Sequence, residues 1–204
     1  MSLRQYLALL ASGLICIVVS YFFIDVSLSR WSFSLNPIWH DLFKYISDAG
    51  KSGFLIISSF LGWIVFRKKS VVLASKFHFI FLSIVFSKIL AQSMKFVFGR
   101  MRPSHLKESD QYGFMFFETA SSLHSFPSGH TTAAFALFTT LSVLFPKYFY
   151  LWLLFALTMA FARIGVGDHF LSDTIAGMLL GIGSVLIVHL YMQNRSWNKW
   201  EKPL

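Results

Sequence analysis

The sequence predicts an all-α fold: an integral membrane bundle of six transmembrane helices, with an interfacial segment and short extracytoplasmic loop helices. Three observations predict it. Of the 204 residues, 55% are hydrophobic and only 13% are charged, about half the charge that a soluble domain carries. Aromatic residues are abundant, with 24 Phe and six Trp, and the mean hydropathy is +0.61. The apolar residues also gather into six runs, roughly 6–24, 53–66, 77–98, 131–145, 148–162 and 172–192.

The first run follows Arg4 and imitates a signal peptide. It is long and bulky, no small-x-small cleavage site stands near Asp25, and Ile15 before Cys16 does not fit lipoprotein processing. A retained membrane helix is therefore expected. Cys16 is the only cysteine, which excludes an intramolecular disulfide. Residues 25–52 alternate Trp31, Phe33, Trp39, Leu42, Phe43 and Tyr45 with polar groups, as expected of a segment lying along the headgroups. Short turns at 67–70 and 146–147 make the runs on either side antiparallel neighbours. Several runs fall below the ~20 residues of a perpendicular span, so their helices are expected to extend into the flanks. The longest polar stretch, 99–127, carries Tyr112, Phe114, Phe116 and Phe117. In the last run, Gly177, Gly181 and Gly183 are expected to allow close helix packing. Neither an internal repeat nor a linker divides residues 1–204, so one domain is expected.

A net charge of +9 points to nucleic acid only where the basic residues form one soluble face, and here they are scattered between apolar runs. The expected partner is the lipid bilayer with its anionic headgroups. An even number of spans puts both termini on one side, together with Arg4, Arg67, Lys68, Lys69, Lys76, Lys147, Arg195, Lys199 and Lys202. Half of the 18 Lys and Arg lie there; once Lys95, Arg102 and Arg163 are set aside as site candidates, six remain opposite. The termini are accordingly expected in the cytoplasm, with the loops 99–127 and 162–171 outside. The sequence carries no signal of oligomeric state.

Three stretches bring ionisable residues to that outer end, where a bundle tolerates them only for cause. In residues 95–103, KFVFGRMRP, a continuing helix would align Lys88, Gln92, Lys95 and Arg102 on one face and end near Pro103. Taken alone, this reads best as a basic cluster snorkelling to the headgroups. In residues 125–134, SFPSGHTTAA, Pro127 and Ser128 suit a helix start whose free N–H groups and dipole bind anions, and Gly129 lets a ligand approach the backbone. A Ser cap explains Ser128 but not His130. In residues 162–173, ARIGVGDHFLSD, Asp173 follows His169 by four, so on a helix it would orient the imidazole and leave the other nitrogen free as base or nucleophile. Asp168 is a second carboxylate, expected to point elsewhere. His130, His169 and Asp173 could in principle ligate a metal, but Lys95, Arg102 and Arg163 around the same point repel a cation. A reactive anion, best a phosphate, is the expected ligand, with no metal and no cofactor.

The pattern Lys95-x6-Arg102-Pro103, then Pro127-Ser128-Gly129-His130, then Arg163-x5-His169-x3-Asp173 resembles the three-part signature of the type 2 phosphatidic acid phosphatase (PAP2) superfamily. One departure is Ala162, where the family usually has Ser before the Arg of its third motif; one hydroxyl near the phosphate is thereby lost. The resemblance implies a metal-independent membrane lipid phosphatase in which His169 attacks phosphorus and becomes phosphohistidine. Asp173 would hold His169, and His130 would protonate the leaving oxygen and then activate water. Lys95, Arg102, Ser128, Gly129 and Arg163 would hold the phosphoryl oxygens. The short chain resembles bacterial members in the inner membrane with a site facing the periplasm. Those act on lipid A 1-phosphate, undecaprenyl pyrophosphate, phosphatidylglycerol phosphate or phosphatidic acid. The stretches FGRMRP and SDAGKSG look most like the lipid A 1-phosphatase branch. Two alternatives share the layout: a lipid-to-lipid phosphotransferase and a non-enzymatic lipid-phosphate binder or transporter.

Overall fold

Long apolar runs in lipid satisfy their backbone hydrogen bonds internally only by closing into helices or barrels, and here they become helices. The computed structural model describes residues 3–195; Lys199 and Lys202, counted above toward the cytoplasmic charge, lie outside the described residues. The α-helices among the described residues are α1 (Leu3–Val19), α2 (Asp25–Phe33), α3 (Pro37–Ala49), α4 (Ser52–Phe66), α5 (Val71–Phe98), α6 (Pro103–Ser109), α7 (Gly129–Leu144), α8 (Phe149–Gly165) and α9 (Leu171–Asn194).

Local chemistry sets several boundaries. Asn36 accepts a hydrogen bond from the Trp39 N–H with Pro37 at the first helical position, which starts α3. Ser70 does the same for α5 through the Leu73 N–H. Gly99, at φ 51°, ends α5 in the left-handed conformation that glycine adopts without strain. A π-helical turn, Ser20–Ile24, joins α1 to α2, and the run Arg4–Phe33 becomes one 30-residue rod.

Among the described residues, five stretches are long and apolar enough to cross a membrane: Arg4–Phe33, Pro37–Phe66, Val71–Phe98, Pro146–Gly165 and Leu171–Asn194. The sixth expected span, α7, is apolar but has only 16 residues. Its surroundings account for this, since α7 packs against α5, α8 and α9 at the centre of the bundle. Phe79, Ala136, Val185, Val188 and Met192 form one buried cluster between α5, α7 and α9. Phe135, Phe138, Ala156 and Ile182 form another between α7, α8 and α9.

The expected interfacial segment 25–52 is largely α2 and α3, and its first residue does not lie among headgroups. Asp25 is fully buried, because the π turn carries the helix onward without releasing the chain. The glycines of the last run act as expected. A methyl group on Gly177 would stand 2.8 Å from the Ser128 carbonyl oxygen, and one on Gly181 2.5 Å from that of Thr132. Only hydrogen at these positions lets α9 lie against α7. That contact sets the start of α7 beside the start of α9, where the Ser128 N–H donates to the Asp173 carbonyl at 3.0 Å.

Candidate active site

Three chain segments meet at this end of the bundle. The turn after α8 is folded back by Gly167, at φ 75°, so that the N–H groups of both Asp168 and His169 reach the Arg163 carbonyl at 3.3 Å. His169 therefore stands before α9 rather than on it, and is 2% exposed. Asp173 lies in the first turn of α9. Its Oδ2 accepts from the Phe170 N–H at 2.9 Å and from Ser125 Oγ at 2.6 Å. His169 Nδ1 lies 3.5 Å from the same oxygen, facing it but beyond a good hydrogen bond, a separation common before a substrate tightens a site. Burial pushes the His169 imidazole down to about 3, against the opposing pull of the Asp173 carboxylate, so the ring is neutral at physiological pH. A proton on Nδ1, toward Asp173, leaves the Nε2 lone pair free.

The start of α7 supplies the second wall. Ser128 is the N-cap residue, but its side chain makes no capping bond; Thr131 Oγ1 donates to Ser128 Oγ at 3.0 Å instead. The cap expected from the sequence is thus absent, and the Ser128 proton stays available for another acceptor. Lys95 reaches this helix start, its Nζ 3.7 Å from where a Cβ of Gly129 would stand. His130 is half-buried and lies within Coulombic range of Arg163, Lys95 and Asp168.

Arg102 arrives by a different route from the expected one. Because Gly99 turns α5 off after Phe98, Arg102 does not continue the helical face of Lys88, Gln92 and Lys95. It occupies the N-cap of α6, and Pro103 opens that helix rather than closing α5. Its Nε donates to the Ser121 carbonyl at 3.0 Å, and Nη1 lies 3.5 Å from the Asp168 carbonyl. Arg163 is buried and pairs through Nη2 with Asp168 Oδ2 at 2.6 Å. Asp168 therefore engages a site cation rather than pointing away from the site. Arg163 Nη1 also donates to Ser47 Oγ of α3, a hydroxyl supplied from elsewhere while its neighbour Ala162 is fully buried.

Sequence reasoning missed a buried layer behind Asp173. Arg100, Asp25 and Asp173 are all 0% exposed. Arg100 Nη1 bonds Asp173 Oδ1 at 2.5 Å and Nη2 bonds Asp25 Oδ2 at 2.8 Å. Burial works against the Arg100 charge, but the Asp173 and Asp25 carboxylates outweigh it and hold the guanidinium above its ordinary pKa. One signal was readable: a lone acid directly after a long apolar run, which lipid does not tolerate unpaired. Among the described residues, no group of three or more His, Cys, Asp or Glu is arranged to hold a metal ion. Three cations, a helix N-terminus and a neutral buried imidazole in one corner suit a tetrahedral oxyanion.

Residues 77–197 match the family model of the PAP2 superfamily. Over 103 residues the chain is 38% identical to the lipid A 1-phosphatase of Rhizobium johnstonii, covering 50% of this chain but only 42% of that protein. The chain therefore spans less than half the length of that relative. It is 28% identical to the lipid A 4'-phosphatase of Porphyromonas gingivalis, over 79% of this chain and 72% of that one. The crystal structure of Aquifex aeolicus LpxE superposes with a TM-score of 0.63 at 27% identity, covering 85% of this chain and 99% of that one. A transmembrane PAP2-type phosphatidylglycerolphosphate phosphatase from Bacillus subtilis shares the fold, with a TM-score of 0.68 at 20% identity. With the match covering more than half of its residues, the chain belongs to the PAP2 superfamily.

Proposed function

We propose that the chain is a multi-pass membrane lipid phosphatase that removes phosphate from a lipid phosphate or pyrophosphate headgroup, with lipid A 1-phosphate as the first candidate. One observation carries the reading: the buried His169 faces Asp173 at 3.5 Å in the same corner as Arg102, Arg163, Lys95 and the start of α7. His169 Nε2 attacks phosphorus in line, the P–O bond to the lipid breaks, and His130 gives the departing oxygen a proton. His130 then takes a proton from water, which attacks the phosphohistidine and releases inorganic phosphate. Lys95, Arg102 and Arg163 take up the oxyanion charge together with the Gly129 N–H and the Ser128 hydroxyl, so no metal is needed. Such transfers depend on positioning and charge stabilisation more than on covalent machinery.

A lipid substrate has support from the space below the site. An apolar cavity of about 240 Å³ lies between α4, α7 and α8, lined by Leu55, Ala134, Leu137, Ala156 and Met159 among others. Ala134 and Met159 are one helical turn inward from His130 and Arg163, so an acyl chain can stay in apolar surroundings while its headgroup enters the site. The lipid A 1-phosphatase name of the Rhizobium johnstonii relative supports lipid A 1-phosphate as the first substrate to try.

The test is phosphate release by purified protein from lipid A 1-phosphate, undecaprenyl pyrophosphate, phosphatidylglycerol phosphate and phosphatidic acid, with excess chelator present. At least one lipid should release free phosphate, and His169→Ala should abolish the release. His130→Ala should lower it by about 10²–10⁴-fold, the usual worth of a positioned general acid. Wild-type rates in His169→Ala, or a phosphorylated acceptor instead of free phosphate, would overturn the reading.

A further inference from the structure

His169 depends on one carboxylate, and that carboxylate is itself held on both oxygens. Oδ2 of Asp173 is taken by Ser125 Oγ and the Phe170 N–H. Oδ1 is taken by Arg100 Nη1 at 2.5 Å. The other end of the same guanidinium is bound to Asp25, 75 residues away in sequence, at 2.8 Å. Asp25 is fixed in turn by the Ser172 N–H at 3.0 Å, by the Ser172 hydroxyl and by the Tyr112 hydroxyl at 3.0 Å. Four rings enclose the guanidinium carbon, those of Tyr21, Tyr112, Phe114 and Phe170, at 5.1, 5.2, 5.1 and 4.6 Å from their centroids. An arginine without solvent, clamped between two carboxylates and caged by aromatic faces, has one orientation.

The structure assigns Arg100 and Asp25 as positioning residues that hold the Asp173 carboxylate in line with His169. The inference rests on the phosphatase reading above. It draws the first membrane rod into the active site, since Asp25 follows the π turn and lies outside the residues that match the family model. A purely structural staple between α2 and α9 would also need a buried ion pair. It would not need that pair to end on the oxygen-bearing group that faces the reacting imidazole. Lysine at position 100 keeps the charge but offers one nitrogen, which cannot bridge both carboxylates with the planar fork.

The experiment measures kcat and KM for Arg100→Lys and Asp25→Asn in full-length protein, each made also in an Asp173→Asn background. The substrate is whichever of the four lipids wild type hydrolyses fastest, and vanadate affinity is measured in parallel. Arg100→Lys should lower kcat about 10²-fold with KM within threefold, because misplacing a catalytic group by about 1 Å has that cost. Asp25→Asn should lower kcat about tenfold, and both variants should bind vanadate more weakly than wild type. With Asp173 replaced by Asn, Arg100→Lys should cost less than about threefold further, since residues acting through one group are not additive. Equal losses in both backgrounds, a loss carried by KM, or unchanged kcat would overturn the assignment. Should Arg100→Lys fail to fold, Asp25→Asn decides alone, since it leaves the Arg100–Asp173 pair intact. A wild-type protein that releases no phosphate and binds no vanadate removes the functional reading and this inference together. Wild-type activity that Arg100→Lys and Asp25→Asn leave untouched removes the inference only.

Discussion

The two walls of the site are built differently. Behind His169, every side chain is buried and its bonds are mutual: Asp173 to Arg100, Ser125 and the Phe170 N–H, and Arg100 onward to Asp25. On the opposite wall, Lys95, Arg102 and His130 are half-exposed, and Arg102 is held by the Ser121 carbonyl rather than by an acid. Only Arg163 has a carboxylate partner there, Asp168, which is itself 42% exposed. The difference matches two tasks. On the proposed mechanism His169 has one productive direction, and the groups behind it are buried and fully bonded. On the same mechanism the oxyanion pocket accepts a phosphate, a transition state and a product in turn, and Lys95 and Arg102 there stay partly open to solvent.

That contrast makes the consequences of mutation unequal. Among the groups around His169, the largest effect is expected from Asp173→Asn, which keeps the shape but presents the wrong hydrogen-bonding group to His169. By analogy with other orienting carboxylates, kcat should fall about 10³–10⁴-fold with KM little changed. A loss appearing mainly in KM would break the distinction between the walls. Arg163→Ala should reduce kcat/KM by about 10²–10³-fold, the range for losing one oxyanion contact. Here KM should rise as well, since ground-state phosphate is held by the same group.

Both walls were legible in part. His169, Asp173, His130 and Arg163 stand out because ionisable residues in an apolar chain require a reason. Arg102 shows where a helical reading went wrong: the backbone leaves the helix at Gly99, and spacing alone does not reveal a left-handed residue. Arg100 was in view within the same motif, yet nothing local marks its partner. Asp25 is brought to it by α1 and α2 packing on α9, a long-range event that no window of residues contains. The aromatic cluster of the 99–127 loop was likewise visible without its purpose. Tyr112 and Phe114 turn out to cage Arg100, while Phe116 and Phe117 adopt left-handed backbone and remain exposed.

Two smaller effects sharpen the comparison. Because burial lowers the folded-state pKa of His169 to about 3 from the ordinary 6.5, the unfolded chain binds its proton more readily. The stability this residue contributes is complete above pH 6.5 and is lost as the pH falls from there toward 3. Its reactivity should nevertheless persist. With an aryl phosphate whose leaving group needs no proton, phosphoenzyme formation in His130→Ala should stay within about threefold between pH 7.5 and 5. A steep fall centred near 6.5 would mean an exposed nucleophile. The smallest effect is expected for Asp168→Asn. Its ion pair is partly solvated and worth little, so kcat should change less than about threefold, with KM level or slightly lower as Arg163 is released toward phosphate. A loss as large as that of Arg163→Ala would place Asp168 in the buried wall instead.

The most direct measurement is to capture the covalent intermediate. Protein mixed with a substrate labelled in the reacting phosphate and quenched in alkali within the first turnover should carry label on one histidine, stable to base and released by acid. The label should be absent from His169→Ala, and His130→Ala should retain it longer than wild type. No acid-labile label in wild type under single-turnover conditions, or label persisting in His169→Ala, would contradict His169 as the nucleophile.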